Sequence, residues 1–296
     1  MTDRDLSRKF LALLQERRGL LLPGAGCALA ARVIAETGFE ALYITGAGIA
    51  NTLHGVPDIG LVSLSEVTAN ITSMREACPE LPIFADGDTG FGNAVNMYRT
   101  VQLYERAGAN AIQIEDQLFP KKCGHFSGKA VIDAREMVDK VKAAVDARRD
   151  ENFVIVARTD SRAMLGLDAA IERVNMYYEA GAQATFVEAP QSLAEIERVA
   201  KETPGLKILN IVHGGKTPMP SLEQIREWQF SGVLYANAAL QASLRSMSNV
   251  LGHLLKVGSL SGVEDQLADF AERQRFVDKD RFDALEARYA TPGVAD

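Results

Sequence analysis

Ala111-Ile112-Gln113-Ile114-Glu115 is a short strand-like run that stops on an acid, and Asp116-Gln117 follow it. Runs of this kind recur along the chain. Gly19–Pro23, Ala41–Thr45, Leu81–Ala85, Phe153–Arg158, Ala184–Glu188, Lys207–Val212 and Gly232–Tyr235 complete a set of eight. Most are apolar on both faces, as buried parallel strands are. A helical pattern follows each. Eight strands alternating with helices predict a (β/α)8 barrel. An open doubly wound sheet is the alternative, because strand order is not written in the sequence.

Helix starts agree with this alternation. Asp133-Ala134-Arg135-Glu136 has a capping-box pattern, followed by Met137, Val138, Val141 and Val145 at helical spacing. Ser192–Glu195 and Ser221–Gln224 repeat the signal. The expected organisation is one barrel domain over 1–296: an N-terminal helix in 1–18, the barrel in 19–255 and a helical extension in 256–296. Residues 3–17, Val263–Phe276 and Lys279–Tyr289 are the helices expected outside the barrel.

The chain has 296 residues, 47% hydrophobic and 24% charged, a composition that supports a large core. Its net charge of -7 argues against nucleic acid as a partner. Three cysteines, Cys27, Cys78 and Cys123, make no disulfide framework and fit a reducing compartment. The charged N-terminus lacks an apolar signal core, and no run approaches the roughly 18 apolar residues that span a membrane. The expected location is cytoplasmic, without membrane contact.

In a parallel barrel the active site stands at the C-terminal ends of the strands. Those ends read Thr45-Gly46-Ala47-Gly48, Asp86-Gly87-Asp88-Thr89-Gly90-Phe91-Gly92, Glu115-Asp116-Gln117, Arg158-Thr159-Asp160, Glu188, and Asn210 with His213, with Pro57-Asp58 in a nearby loop. Asp58, Asp86, Asp88 and Glu115 converge on one cavity in this reading. Such hard oxygen donors suit Mg²⁺, or Mn²⁺ in its place, with some acids binding through water. The plain alternative is that Asp86 or Asp88 only closes a turn. Gly46, Gly48, Gly90 and Gly92 allow close backbone approach. Gly24-Ala25-Gly26 lacks the third glycine of a dinucleotide motif.

Pro120-Lys121-Lys122-Cys123-Gly124-His125 lies just beyond the acidic strand end. A thiol beside two lysines and a histidine is placed for a lowered pKa. A buried, inert thiol is the usual fate of free cysteine. That reading suits Cys27, taken to lie within an apolar helix, and Cys78; it suits Cys123 poorly. His54, His213 and His253 are weaker signals, and His253 reads as structural.

With these residues the chain resembles the isocitrate lyase / phosphoenolpyruvate mutase superfamily, in particular its short lyase branch. The similarity runs from about residue 8 to 255. It rests on Lys121–His125, Asp86–Gly92, Ile114-Glu115-Asp116-Gln117 and Val156-Ala157-Arg158-Thr159-Asp160. The resemblance implies Mg²⁺ on Asp86, with Asp58, Asp88 and Glu115 holding its waters. Tyr43, Thr45, Gly46 and Ala47 would position the 2-oxyacid end of a carboxylate substrate. Arg158 would pair with a substrate carboxylate, and Gly124, His125, Glu188 and Asn210 would complete the pocket beside Lys122. Cys123 would protonate the departing carbanion.

The implied reaction is Mg²⁺-dependent carbon–carbon cleavage of a 2-hydroxy di- or tricarboxylate, of the 2-methylisocitrate or 2,3-dimethylmalate type, to an α-keto acid such as pyruvate. A carboxyphosphonoenolpyruvate mutase on the same scaffold is the alternative, and a non-catalytic barrel is a third. The base for the hydroxyl is left open between Tyr43 and a water on the metal. Val212-His213-Gly214 and Tyr235-Ala236-Asn237 depart from the methylisocitrate lyase pattern and favour a smaller substituted malate. The resemblance also implies a homotetramer with the eighth helix swapped between subunits.

Overall fold

The computed structural model describes residues 2–122, 124 and 128–290. Cys123 and His125, both expected in the site, lie outside the described residues. The chain divides into two compact units, residues 1–240 and 241–296.

The first unit is a closed barrel of eight parallel strands in sequential order. In chain order it comprises α1 (Asp3–Gln15), β1 (Leu20–Ala25), α2 (Ala28–Glu36), β2 (Leu42–Ile44), α3 (Gly46–Leu53), α4 (Leu64–Ala77) and β3 (Ile83–Asp86). There follow α5 (Ala94–Ala107), β4 (Ala111–Glu115), α6 (Ala134–Ala147), β5 (Val154–Thr159), α7 (Arg162–Leu165) and α8 (Leu167–Glu179). The remainder is β6 (Ala184–Val187), α9 (Leu193–Glu202), β7 (Leu206–Asn210), α10 (Leu222–Glu227), β8 (Gly232–Tyr235) and the start of α11 (Ala238–Val257). All eight expected strands form, with ends shifted by a few residues at most. The open-sheet alternative is excluded because β8 pairs with β1, Leu20 opposite Gly232 and Leu22 opposite Leu234.

Two apolar layers hold the barrel. One lies between strands and helices, where Ile83, Ile112 and Ile155 meet Met74, Val101 and Val141. The other fills the barrel interior with Leu20, Leu22, Tyr43, Phe84, Val156, Phe186 and Ile208, and α1 joins it through Phe10 and Leu14. The N-terminal helix thus packs with the barrel's interior residues. Phe10 and Phe84 ring centroids lie 5.9 Å apart. Asn110 ties this helix down: Nδ2 donates to the Asp3 carbonyl and Ser7 Oγ, both at 3.2 Å, while Oδ1 accepts from Ile83 N and Arg75 Nη2. A buried amide so fully engaged specifies one seating of the helix.

Helix caps follow the sequence with three corrections, the first at α9, where Ser192 accepts from Glu195 N but the Glu195 carboxylate accepts from Gln191 N and completes no box. Ser221 and Gln224 form a full capping box. Asp133 caps α6 by accepting from Arg135 N, but Glu136 does not complete a box. Cys27 is not inside a helix; it is the N-cap of α2, in extended conformation. Cys78 ends α4 and is buried.

Residues 241–296 carry the rest of α11, a 3-10 turn at Glu264–Gln266, α12 (Phe270–Phe276) and α13 (Lys279–Tyr289). The expected continuous helix from Val263 to Phe276 is broken, because Asp269 caps a new helix by accepting from Glu272 N. No helix among the described residues is long and apolar enough to cross a membrane.

Candidate active site

The C-terminal strand ends surround a cavity of about 40 Å³, room for only a few water molecules. Tyr43, Thr45, Ala47, Asp58, Asp86, Glu115, Lys122, Gly124, Arg158, Glu188 and Asn210 all line it, as the sequence reading places them. Lys121, Val212, Leu234, Ala236 and Asn237 line it as well.

Thr45 follows β2 and caps α3, its Oγ1 accepting from Gly48 N at 3.3 Å. This brings the backbone of Gly46 against the acids. Gly46 N donates to Asp86 Oδ2 at 3.3 Å, and a Cβ on Gly46 would stand 3.1 Å from that oxygen. Asp86 Oδ1 accepts from Asp88 N at 3.1 Å and from Gln113 Nε2 at 3.3 Å. Asp88 itself adopts φ +46°. That turn draws its carboxylate toward Lys121, whose Nζ lies 2.8 Å from Asp88 Oδ1 and also bonds Asp58.

Burial pushes Asp88 up to about 6, aided by Asp86 and Asp58 and opposed by Lys121. Burial likewise drives the Glu115 carboxyl well above its ordinary range, against the pull of Arg158. For Lys121 burial disfavours the ammonium, but Asp88, Asp58, Asp86 and Glu115 outweigh it and hold the pKa well above the usual lysine value. The four acids therefore repel one another, and a cation between them relieves the repulsion. Glu115 Oε1 is buried and takes no hydrogen bond from any described residue.

Arg158, near the end of β5, lines the same cavity. Its Nε donates to Asp160 Oδ2 at 2.8 Å and its Nη2 to Asp160 Oδ1 at 3.1 Å. Glu115 Oε2 stands 3.4 Å from Nε, Glu188 Oε2 3.6 Å from Nη1, and the guanidinium lies 5.2 Å from the Phe186 ring centroid. Burial opposes the charge of Arg158, and Asp160, Glu188 and Glu115 more than restore it. Asn210 Nδ2 reaches Glu188 Oε1 at 3.5 Å.

Tyr43 OH donates to Gln113 Oε1 at 3.2 Å. Burial and then Asp86 hold its pKa well above the usual phenol value. Tyr43 is accordingly a protonated donor at neutral pH.

The two adjacent lysines separate. Lys121 turns into the acids, whereas Lys122 Nζ donates to the Gly128 carbonyl at 2.9 Å. The Lys122 backbone is clasped on both sides by the Gln117 amide, at 2.9 and 2.7 Å. Gly124 is a close-approach glycine: a Cβ there would stand 2.5 Å from both Arg158 Nη2 and Glu188 Oε1. Sequence reasoning did not assign site roles to Lys121, Asp160 or Gln113. The pair Lys121-Lys122 signals a cation, but only the folded loop decides which of the two faces inward.

Asp58, Asp86 and Glu115 line the cavity as hard oxygen donors of the kind a small divalent cation takes, and Asp58 and Asp88 are paired with Lys121. Among the described residues no group of three or more His, Cys, Asp or Glu side chains is arranged to hold a metal directly.

Carboxylates and an arginine clustered at the C-terminal strand ends of a (β/α)8 barrel stand where enzymes of this fold hold their active sites. The chain belongs to the phosphoenolpyruvate phosphomutase family, whose model matches residues 10–255, and so to the superfamily of lyases and mutases that includes isocitrate lyase. A 2,3-dimethylmalate lyase of Eubacterium barkeri is 39% identical over 287 residues, 97% of this chain and 99% of that one. A chloroplastic carboxyvinyl-carboxyphosphonate phosphorylmutase of Arabidopsis thaliana is 42% identical over 288 residues, 96% of this chain and 85% of that one. A crystal structure of 2,3-dimethylmalate lyase superposes with TM-score 0.90 at 32% identity, covering 100% of this chain and 99% of the other. A phosphonopyruvate hydrolase complex with oxalate and Mg²⁺ superposes with TM-score 0.86 at 30% identity, covering 98% and 99%.

Proposed function

We propose that the protein is a Mg²⁺-dependent carbon–carbon lyase that cleaves a substituted malate to an α-keto acid such as pyruvate and a carboxylate. The carrying observation is that one cavity is lined by two chemically distinct sets, the carboxylates Asp58, Asp86 and Glu115, and the pair Arg158 and Asn210. The first suits a hydrated cation and the 2-oxyacid end of the substrate. The second suits the remote carboxylate, which Arg158 can take through its guanidinium.

Asp86 would hold the ion, with Asp58, Asp88 and Glu115 on its waters. When bound, Mg²⁺ (or Mn²⁺) would supply Lewis-acid charge that eases loss of the substrate hydroxyl proton, which passes to water, because Tyr43 is held protonated and cannot accept it. The protein's own groups do the rest. Tyr43, Thr45, Gly46 and Ala47 orient the 2-oxyacid end. As the carbon–carbon bond breaks, its electron pair passes to the carbon beside the departing carboxylate. Cys123 delivers a proton there, with Lys122 and His125 on the same loop. Val212, Leu234 and Ala236 give the cavity an apolar side. That side favours methyl substituents over the third carboxylate of methylisocitrate.

A homotetramer in the reducing cytoplasm, with helix α11 exchanged between subunits, completes the proposal. The support is α11 itself: it buries only Val250 of its twenty residues and leaves Leu244, Met247, Leu251 and Leu255 exposed.

The test is α-keto acid release coupled to lactate dehydrogenase, over 2,3-dimethylmalate, 2-methylisocitrate, isocitrate and oxaloacetate, with Mg²⁺ and with EDTA. Mg²⁺-dependent pyruvate from a substituted malate supports the lyase. Silence across the panel would sink it and favour the second reading, a phosphorylmutase, which the 42% identity to the plant enzyme keeps in view.

A further inference from the structure

Lys129 has no part in the chemistry proposed above, yet it is among the most enclosed cations in the chain. Its side chain is 2% exposed, and the Asp160 side chain it faces is fully buried. Nζ donates to Asp160 Oδ1 at 2.6 Å and to the Gly124 carbonyl at 2.5 Å. Asp160 Oδ1 also accepts from Arg158 Nη2, and Gly124 packs against that same Nη2 and against Glu188. One ammonium therefore joins the backbone beyond β4 to the carboxylate that orients Arg158.

Charge balance alone would not need the second bond. A lysine neutralising Asp160 could point its remaining N–H groups anywhere, and a buried ammonium is costly to enclose. The Gly124 carbonyl gives the enclosure a purpose. On the other side of residue 123, Gln117 clasps Lys122 through both backbone groups, and the base of the loop is closed by Leu118 N donating to the Ala130 carbonyl at 2.8 Å.

We infer that Lys129 is a positioning residue: it fastens Gly124 to Asp160 and so couples the seating of Gly124, and of Lys122 just before it in the chain, to the orientation of Arg158. It does not touch substrate. The kinetic part of this inference rests on the proposed lyase reading; the structural part does not.

The experiment compares wild type, Lys129→Met and Lys129→Arg. Native-state trypsin digestion is followed by mass spectrometry at the bond after Lys122 and at the bonds after Arg148 and Arg149. In Lys129→Met, cleavage after Lys122 rises at least tenfold while the other two bonds stay at the wild-type rate. KM for the cleaved dicarboxylate rises at least tenfold, and Lys129→Arg brings it back to within threefold. Unchanged cleavage after Lys122 overturns the inference, and so does an equal rise at all three bonds, which marks a general loss of stability. If the wild type releases no keto acid, the lyase reading fails and the digestion alone still decides the role of Lys129.

Discussion

Lys121 stands between two carboxylates from different loops, its Nζ 2.8 Å from Asp88 Oδ1 and bonded to Asp58. The three side chains are nearly buried, so the ammonium carries much of the charge balance of the acidic wall. In Lys121→Met the acids face one another unpaired. The expected loss is about 3 kcal/mol in EDTA, the scale of breaking a buried ion pair. Added Mg²⁺ should raise Tm more in the variant than in the wild type, because the ion replaces the missing charge. Thermal denaturation with and without Mg²⁺ checks this; equal shifts in both proteins would refute it.

Gly46 separates positioning from stability. An added methyl would meet Asp86 Oδ2 at 3.1 Å and Asp88 Oδ1 at 3.2 Å. The carboxylates must retreat by a few tenths of an ångström. Because alanine is the better helix former, Gly46→Ala should change stability by less than about 1 kcal/mol. Turnover should nevertheless fall by roughly tenfold, given how steeply rates depend on alignment. Full activity in the folded variant would show that the acids tolerate displacement.

Cys123→Ser replaces the proposed proton donor with a hydroxyl, a far weaker acid. Turnover should fall by roughly 100-fold or more, the scale of general acid catalysis. Mg²⁺ affinity, followed by calorimetry, should be nearly unchanged. Retained turnover would reassign the donor.

Asp160 supplies a pH signature. Burial opposes its charge, but Arg158 and Lys129 overcome that and leave the folded pKa below the ordinary 3.8. A depressed carboxylate contributes stability above its unfolded pKa and loses it as pH falls through the folded value. Asp160→Asn should therefore cost about 3 kcal/mol near neutrality. The Tm gap to wild type should stay level from about pH 5 to 8 and shrink once pH drops below 3.8. A gap that is constant down to the acid limit would contradict the depressed pKa.

Phe84 tests the interior layer. Its ring meets Tyr43 at 5.0 Å between centroids and Phe10 of α1 at 5.9 Å. Phe84→Ala should cost about 3–5 kcal/mol, the usual range for a buried aromatic. Urea unfolding measures it; a loss below about 1 kcal/mol would mean α1 collapses into the space.

All eight strands and most helices were legible in the sequence, because burial on both faces leaves uninterrupted apolar runs and caps leave Ser, Thr, Asn or Asp at helix starts. So were the acids and Arg158, because a parallel barrel puts the residues that end its strands on one face. Three things required the tertiary structure. Which of Lys121 and Lys122 turns inward depends on a loop that no periodicity governs. That Asp160 holds Arg158, and Lys129 holds Asp160, depends on distances across β5 and the segment beyond β4. The altered proton affinities of Asp88, Glu115 and Tyr43 arise only when folding removes water and brings like charges together, and charge interactions depend on separation in space rather than along the chain.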